Sequence, residues 1–356
     1  MKKIFIKLCN FIPILSLIIC INIYVDPANL LFSEKHMSKI ASILIKGYNV
    51  EGLYDYDERM LQKEIIKRLE DPLDTIVLGS SRTMQISKKY FPNLKFFNNS
   101  VSGATIEDFI AIVQLYKSKK MLPSTIIIGI DPWLFNRNND QTRWKSLRKE
   151  YIQGLNTISY DKRNSFIEKI EINYEKYIEF LSPSYFQYSV SMIVKNHEKN
   201  QYCVTSASVS DRPIKLSDGS INYSAEYRLT DLEVVKQKAL SEVEEEIYSL
   251  ENFDEIDSDL FYQFDLLIRY LKEEEVDIYF FLAPYHEMSY EYMIGNSNYK
   301  LVKEVQSFIH DYGDEKGLSV LGSYNPMDIP CQMGEFYDAM HAKPNCIQKI
   351  LMSNGE

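Results

Sequence analysis

The sequence has no cluster of basic residues, no internal repeat, no low-complexity tract, and only five cysteines and five histidines in 356 residues. A formal net charge of -10, with 50 Asp+Glu against 40 Lys+Arg, offers no basic face to a phosphate backbone, so no nucleic-acid partner is expected. Five cysteines do not make a disulfide scaffold, and Cys9 and Cys20 fall in an apolar N-terminus. A Cys331 to Cys346 bridge is one pairing the sequence leaves open. His36, His197 and His310 show no ligand spacing, so neither a metal nor a cofactor is expected. What remains is an ordinary globular composition, 45% hydrophobic and 25% charged, able to bury a large core without disulfides.

The apolar stretch Ile4 to Val25 would extend roughly 33 Å as a helix, enough to cross a hydrocarbon core. Lys2, Lys3 and Lys7 flank its first turns and favour an N-terminus inside, with everything after Asp26 outside. The run is long for a signal-peptide core, and no small-x-small site precedes Asp26, so a retained anchor is expected over residues 1–26. Asp26-Pro27 would break the membrane helix.

Beyond a membrane-proximal segment (27–72) with a helix over Asp57 to Leu69, short apolar strands alternate with amphipathic helices. Strands are expected at Thr75 to Leu78, Leu94 to Phe97 and Thr125 to Ile130, with a helix at Thr105 to Lys119 whose Thr105 and Asp108 form a capping box. From 139 to 255 the rhythm gives way to a mixed insertion, with helical stretches at Ser165 to Leu181 and Asp231 to Leu250 and a turn at Asp218-Gly219. It then returns: a helix on Leu260, Phe264, Leu267 and Leu271, strand Asp277 to Leu282, helix Tyr299 to Tyr312, strand Leu318 to Leu321, and a last helix from Pro344. Alternation of this kind predicts a parallel sheet covered on both faces, split into 73–138 and 256–356.

Gly79-Ser80-Ser81-Arg82 ends the first core strand, where a serine on a strand-to-helix turn can be a nucleophile. Asp338-Ala339-Met340-His341 places a carboxylate and an imidazole three residues apart, the general-base pair a serine hydroxyl needs. Ser81 would attack, His341 would take and return the proton, and Asp338 would set the imidazole tautomer. A helix starting after Ser81 would aim its N–H groups at the developing oxyanion.

Together with Gly103 after the second strand and Gly129-Ile130-Asp131 after the third, these blocks resemble, in their order, the SGNH/GDSL hydrolases from Thr75 to Ile350. The resemblance implies a three-layer α/β/α, flavodoxin-like sheet, and a Gly103 N–H assisting the oxyanion hole. Here Ser80 and Arg82 replace the family's Asp and Leu, and Asp131 stands where the family carries an oxyanion-hole asparagine. An ionised carboxylate there would repel an oxyanion, so either backbone donors act alone or Asp131 orients Arg82 or a sugar hydroxyl.

With the anchor, the chain looks similar to extracytoplasmic members that modify surface polymers, as in exopolysaccharide O-acetylation and D-alanyl transfer to teichoic acid. This implies a glycan or teichoic acid acceptor and a multipass membrane-bound O-acyltransferase partner. Water as acceptor would make an esterase or deacetylase, and loss of chemistry a glycan-binding or assembly protein. His286, after the strand Asp277 to Leu282, is read as a substrate contact or a surface histidine. Tyr285, Tyr290 and Tyr292 are read as sugar-stacking rings or as core filler.

Overall fold

The computed structural model describes residues 12–25, 33–159, 181–194, 202–245, 247–250 and 252–352. Its centre is a five-stranded parallel sheet of β2 (Thr75–Leu78), β3 (Phe96–Asn98), β4 (Thr125–Gly129), β8 (Asp277–Leu282) and β9 (Ser319–Gly322), in spatial order β3-β2-β4-β8-β9. A smaller antiparallel sheet, ordered β5-β1-β6-β7, joins β1 (Asn49–Glu51), β5 (Cys203–Thr205), β6 (Ile214–Lys215) and β7 (Ile221–Asn222). The helices are α1 (Ile12–Val25), α2 (Ser33–Ile45), α3 (Glu58–Arg68), α4 (Ile106–Ser118), α5 (Arg148–Ile158), α6 (Pro183–Val194), α7 (Leu232–Glu245), α8 (Ser258–Glu273), α9 (Glu287–Gly295), α10 (Lys300–Lys316) and α11 (Pro344–Met352).

Alternation within the strands sorts side chains onto two faces. Ile76, Leu78, Ile126, Ile128, Phe280 and Leu282 join the larger core, with residues of α4, α5, α8 and α10. Val77, Ile127 and Phe281 point the other way, towards Ile347 and Ile350 of α11 and the loops bearing Ile86, Ile329 and Phe336. A third cluster packs Met37, Ile40 and Leu44 of α2 on Leu61 and Ile65 of α3. The fold is therefore α/β with a parallel sheet covered on both faces, as the strand–helix alternation predicts.

The strand order has one reversal, between β2 and β4: the chain leaves β2 towards β3 and returns past it to β4. Ligands of open α/β sheets bind outside the strand C-termini at such a switch point. Ser81 follows β2 and Trp133 follows β4, and both line the cleft at that edge.

Several expectations need correction. Strand Leu94 to Phe97 is displaced to Phe96–Asn98, and the helix Asp231 to Leu250 ends at Glu245. The insertion also pairs with the segment before the sheet: β5 and β6 flank β1, a long-range pairing between strands of two or three residues that shows no periodicity in sequence. After Ser81 there is no helix but a single 3₁₀ turn, Ser81–Thr83, because Thr83 and Met84 close back on Ser80 and Ser81. The helix expected at Ser165 to Leu181 lies almost wholly outside the described residues. So does 1–11 of the expected membrane span; its remainder is the 14-residue α1, and among the described residues no helix is long and apolar enough to cross a membrane.

Candidate active site

The β2 turn is shaped by what it must accommodate. Gly79, just past β2, and Gly129, the last residue of β4, lie side by side, and a methyl group on either would collide with the Thr83 side chain. With that space free, Thr83 Oγ1 donates to Ser80 O at 2.9 Å and accepts from Ser100 Oγ at 2.7 Å. Ser80 accepts the Arg82 N–H at 3.1 Å on its hydroxyl. Ser81 is thereby left half-exposed at the turn, facing a cleft of about 370 Å³.

Ser81 Oγ lies 2.8 Å from His341 Nε2, and His341 Nδ1 lies 2.7 Å from Asp338 Oδ2. An ionised carboxylate only accepts, so Nδ1 carries the proton and Nε2 is free to accept from the serine. Burial would raise the Asp338 carboxyl. The His341 imidazole, with donated bonds from His341, Tyr227 and the Met340 N–H, instead holds it well below the usual carboxylate range. Asp338 Oδ1 also takes the His341 N–H at 2.8 Å.

The His341 loop is fully committed. Ala339 N–H donates to Glu242 Oε2 at 3.1 Å and Ala339 O accepts from His286 N at 2.9 Å. Met340 N–H donates to Asp338 and Met340 O accepts from Arg82 Nε at 3.1 Å. His341 N–H donates to Asp338 and His341 O accepts from Tyr337 N. Every backbone donor and acceptor from Ala339 to His341 is thus engaged, which fixes the imidazole without help from a helix or strand. A Cys331–Cys346 disulfide closes the segment that holds both residues.

Arg82 and Asp131 form a buried ion pair at 2.9 Å. The guanidinium lies 3.9 Å from the Tyr285 ring centre and also donates to Ala283 O. Neither residue lines the cleft, so the expectation of an oxyanion or substrate contact gives way to one of the two roles left open: Asp131 orients Arg82, and Arg82 ties the serine turn to Met340. A guanidinium buried at this position needs such a carboxylate beside it.

Gly103 does line the cleft. Its φ of +54° is a left-handed conformation that glycine adopts cheaply, and a side chain there would strike Tyr248, Arg143 and Gln141. Behind it, Arg59 donates to Gly103 O at 3.3 Å while bound twice to Asp108, at 2.9 and 2.8 Å. Among the described residues the N–H groups of Ser81 and Gly103 have no protein acceptor, and both residues line the cleft.

His286 is neither a surface residue nor a cleft residue. It is fully buried behind the loop, where its N–H holds Ala339 and its Nδ1 accepts the Met288 N–H at 3.3 Å to cap α9. Burial lowers its pKa, consistent with a neutral ring. Tyr285 and Tyr290 are buried as well, and Tyr292, though exposed, does not line the cleft.

The aromatic walls are instead Trp133 and Tyr248, in edge contact at 5.3 Å, joined by Arg143, Glu242 and Glu245. Trp133 was findable, since it follows β4 at the C-terminal edge of the sheet. Tyr227, whose hydroxyl donates to Asp338, and Glu242 were not, because both come from the insertion with no spacing that links them to the triad. Burial, then the nearby Asp338, raises the Glu242 carboxyl.

No model of a known protein family matches this chain. No curated protein matches it either.

Proposed function

We propose that the chain is an SGNH-like serine acyltransferase that passes an acyl group through Ser81 to a hydroxyl of a surface glycan or teichoic acid. The observation carrying this reading is the unbroken Ser81–His341–Asp338 relay opening on a cleft at the sheet's switch point. As Ser81 Oγ attacks a donor ester carbonyl, its proton passes to His341 Nε2, and the N–H groups of Ser81 and Gly103 receive the oxyanion. Removing one such donor typically costs about 10²–10³ in rate. His341 returns the proton to the departing alkoxide, leaving acyl-Ser81. The acceptor hydroxyl then gives its proton to His341, attacks the acyl carbon and departs as the new ester, while Ser81 regains its proton.

Trp133 and Tyr248 suit an acceptor with flat apolar sugar faces, and the polar Arg143, Glu242 and Glu245 suit its hydroxyls. An extracytoplasmic domain tethered by the N-terminal apolar run fits the Cys331–Cys346 disulfide, a bond that persists in oxidising compartments. A multipass O-acyltransferase in the same membrane would supply the acyl donor. With water as acceptor the same steps release a carboxylic acid, making the protein an esterase.

The test compares ester-linked acyl groups on the purified surface polymer of cells carrying wild-type protein or Ser81→Ala. Loss of acyl groups in the variant supports transfer and a gain supports esterase action; an unchanged polymer contradicts both.

A further inference from the structure

The sequence has no basic cluster, yet the fold assembles one. On the far side of the His341 loop lies a second cavity of about 380 Å³, lined by Lys89, Arg228 and Lys343 with Ser87, Ser208 and Tyr337, and no Asp or Glu is among its lining residues. The three cations come from the segment after β2, the helical turn Ala225–Arg228 and the chain just past His341. In a protein of net charge -10, three positive side chains around one cavity need an explanation.

Carboxylates nearby do not supply it. Asp218 is occupied by the Lys88 N–H at 2.7 Å and by the Ser220 N–H and hydroxyl at 2.9 and 2.6 Å. Glu335 is paired with Lys349 at 2.7 Å. Arg228 donates only to carbonyls, Tyr223 O and Ser210 O, each at 2.8 Å, and Lys343 only to Gly334 O at 2.9 Å. Lys89 lies over the Tyr90 ring at 4.8 Å. Among the described residues none of the three has a carboxylate partner within ion-pair distance. Desolvation lowers the pKa of both Lys89 and Lys343, and the more distant Asp218 and Glu335 offset it only in part.

We propose that this cavity is an anion site for a phosphoryl group, presented as free phosphate or as the phosphodiester of a polymer. Three cations and the Ser87 and Ser208 hydroxyls provide more donors than the two oxygens of a carboxylate can use, and they match the three or four oxygens of a phosphoryl group. The site does not depend on the chemistry proposed for Ser81. The two cavities nevertheless share one chain segment, since Tyr337 and Lys343 face this one while Asp338 to His341 face the other.

Equilibrium dialysis of the detergent-solubilised full chain, against radiolabelled inorganic phosphate and separately against a short polyglycerol phosphate, tests the proposal. Saturable binding of one equivalent is expected, weakened at least about tenfold in the Lys89→Gln/Lys343→Gln double variant, as for loss of charge-assisted bonds. Similar molar affinities for the two probes identify free phosphate as the ligand, and a markedly tighter polymer identifies the phosphodiester. Lys89 is exposed, so Lys89→Glu alone reports on the site even if the double variant misfolds; near-UV circular dichroism identifies that case. No saturable binding of either probe, or wild-type binding by a folded Lys89→Glu variant, overturns the proposal.

Discussion

Ser81 and His341 meet at 2.8 Å, but they arrive by different routes. Ser81 leaves a fully buried parallel strand, and its position follows from β2, the neighbouring β4 and the close packing of Thr83 against two glycines. His341 lies in a segment whose regular structure amounts to a three-residue turn and one isolated bridge, Phe336 to Ala342. Its rigidity comes from hydrogen bonds to the loop backbone, the disulfide and Arg82. Ser81 is placed by the core of the fold, His341 by polar and covalent clamps added around it.

If the base side depends on such clamps, cutting them one at a time should weaken reactivity by unequal amounts. The largest effect is expected for Asp338→Asn, which replaces an acceptor by an amide able to enforce the wrong imidazole tautomer. Reactivity with an activated ester should fall about 10³–10⁴-fold with the fold intact, measured as the second-order acylation rate. Because the Asp338 carboxyl is held below its ordinary range, its stabilising contribution is complete at neutral and mildly acidic pH. It disappears only as pH falls through the lowered value.

Arg82→Leu comes next, since it leaves the Asp131 carboxylate buried without its cation. Breaking a buried pair costs about 3–5 kcal/mol, read by urea unfolding. Adding Asp131→Asn should restore much of that loss, because the charge left behind is removed too. A double variant no more stable than Arg82→Leu would break the comparison.

Smaller again is the disulfide. Cys331→Ser with Cys346→Ser opens a loop of sequence separation 15, worth up to about 3 kcal/mol by chain entropy. Acylation should slow while Gly79, Ser81 and the sheet stay native, which separates the clamped side from the core-placed side.

The smallest effect, opposite in sign, belongs to Glu242→Gln. Its carboxyl is raised by burial and by Asp338, so its stabilising contribution is present below the unfolded value and declines as pH rises through the folded one. The amide keeps an oxygen for the Ala339 N–H and carries no charge. The variant should therefore melt slightly above wild type at pH 7, with the difference vanishing in acid.

The same contrast governs what the sequence made legible. The sheet was readable because strands buried on both faces are short apolar runs, such as Thr75 to Leu78, and α4 carries its cap at Thr105. That Ser81, His341 and Asp338 would meet was readable, because a strand-end serine and a late Asp-x-x-His are the residue types a relay would use. The Arg82–Asp131 pair was visible only as two departures from a pattern. Tyr227, Glu242 and the basic cavity were not readable at all, since each depends on the insertion folding back over the loop, and no local period encodes such contacts.

Covalent capture at Ser81 tests the central claim most directly. The full chain is treated with a serine-directed fluorophosphonate at neutral pH and the modified peptide is identified by mass spectrometry. The account predicts one adduct, on Ser81, strongly reduced in a folded His341→Ala variant. Failure of folded wild-type protein to react, or an adduct that forms at the same rate without His341, would contradict it.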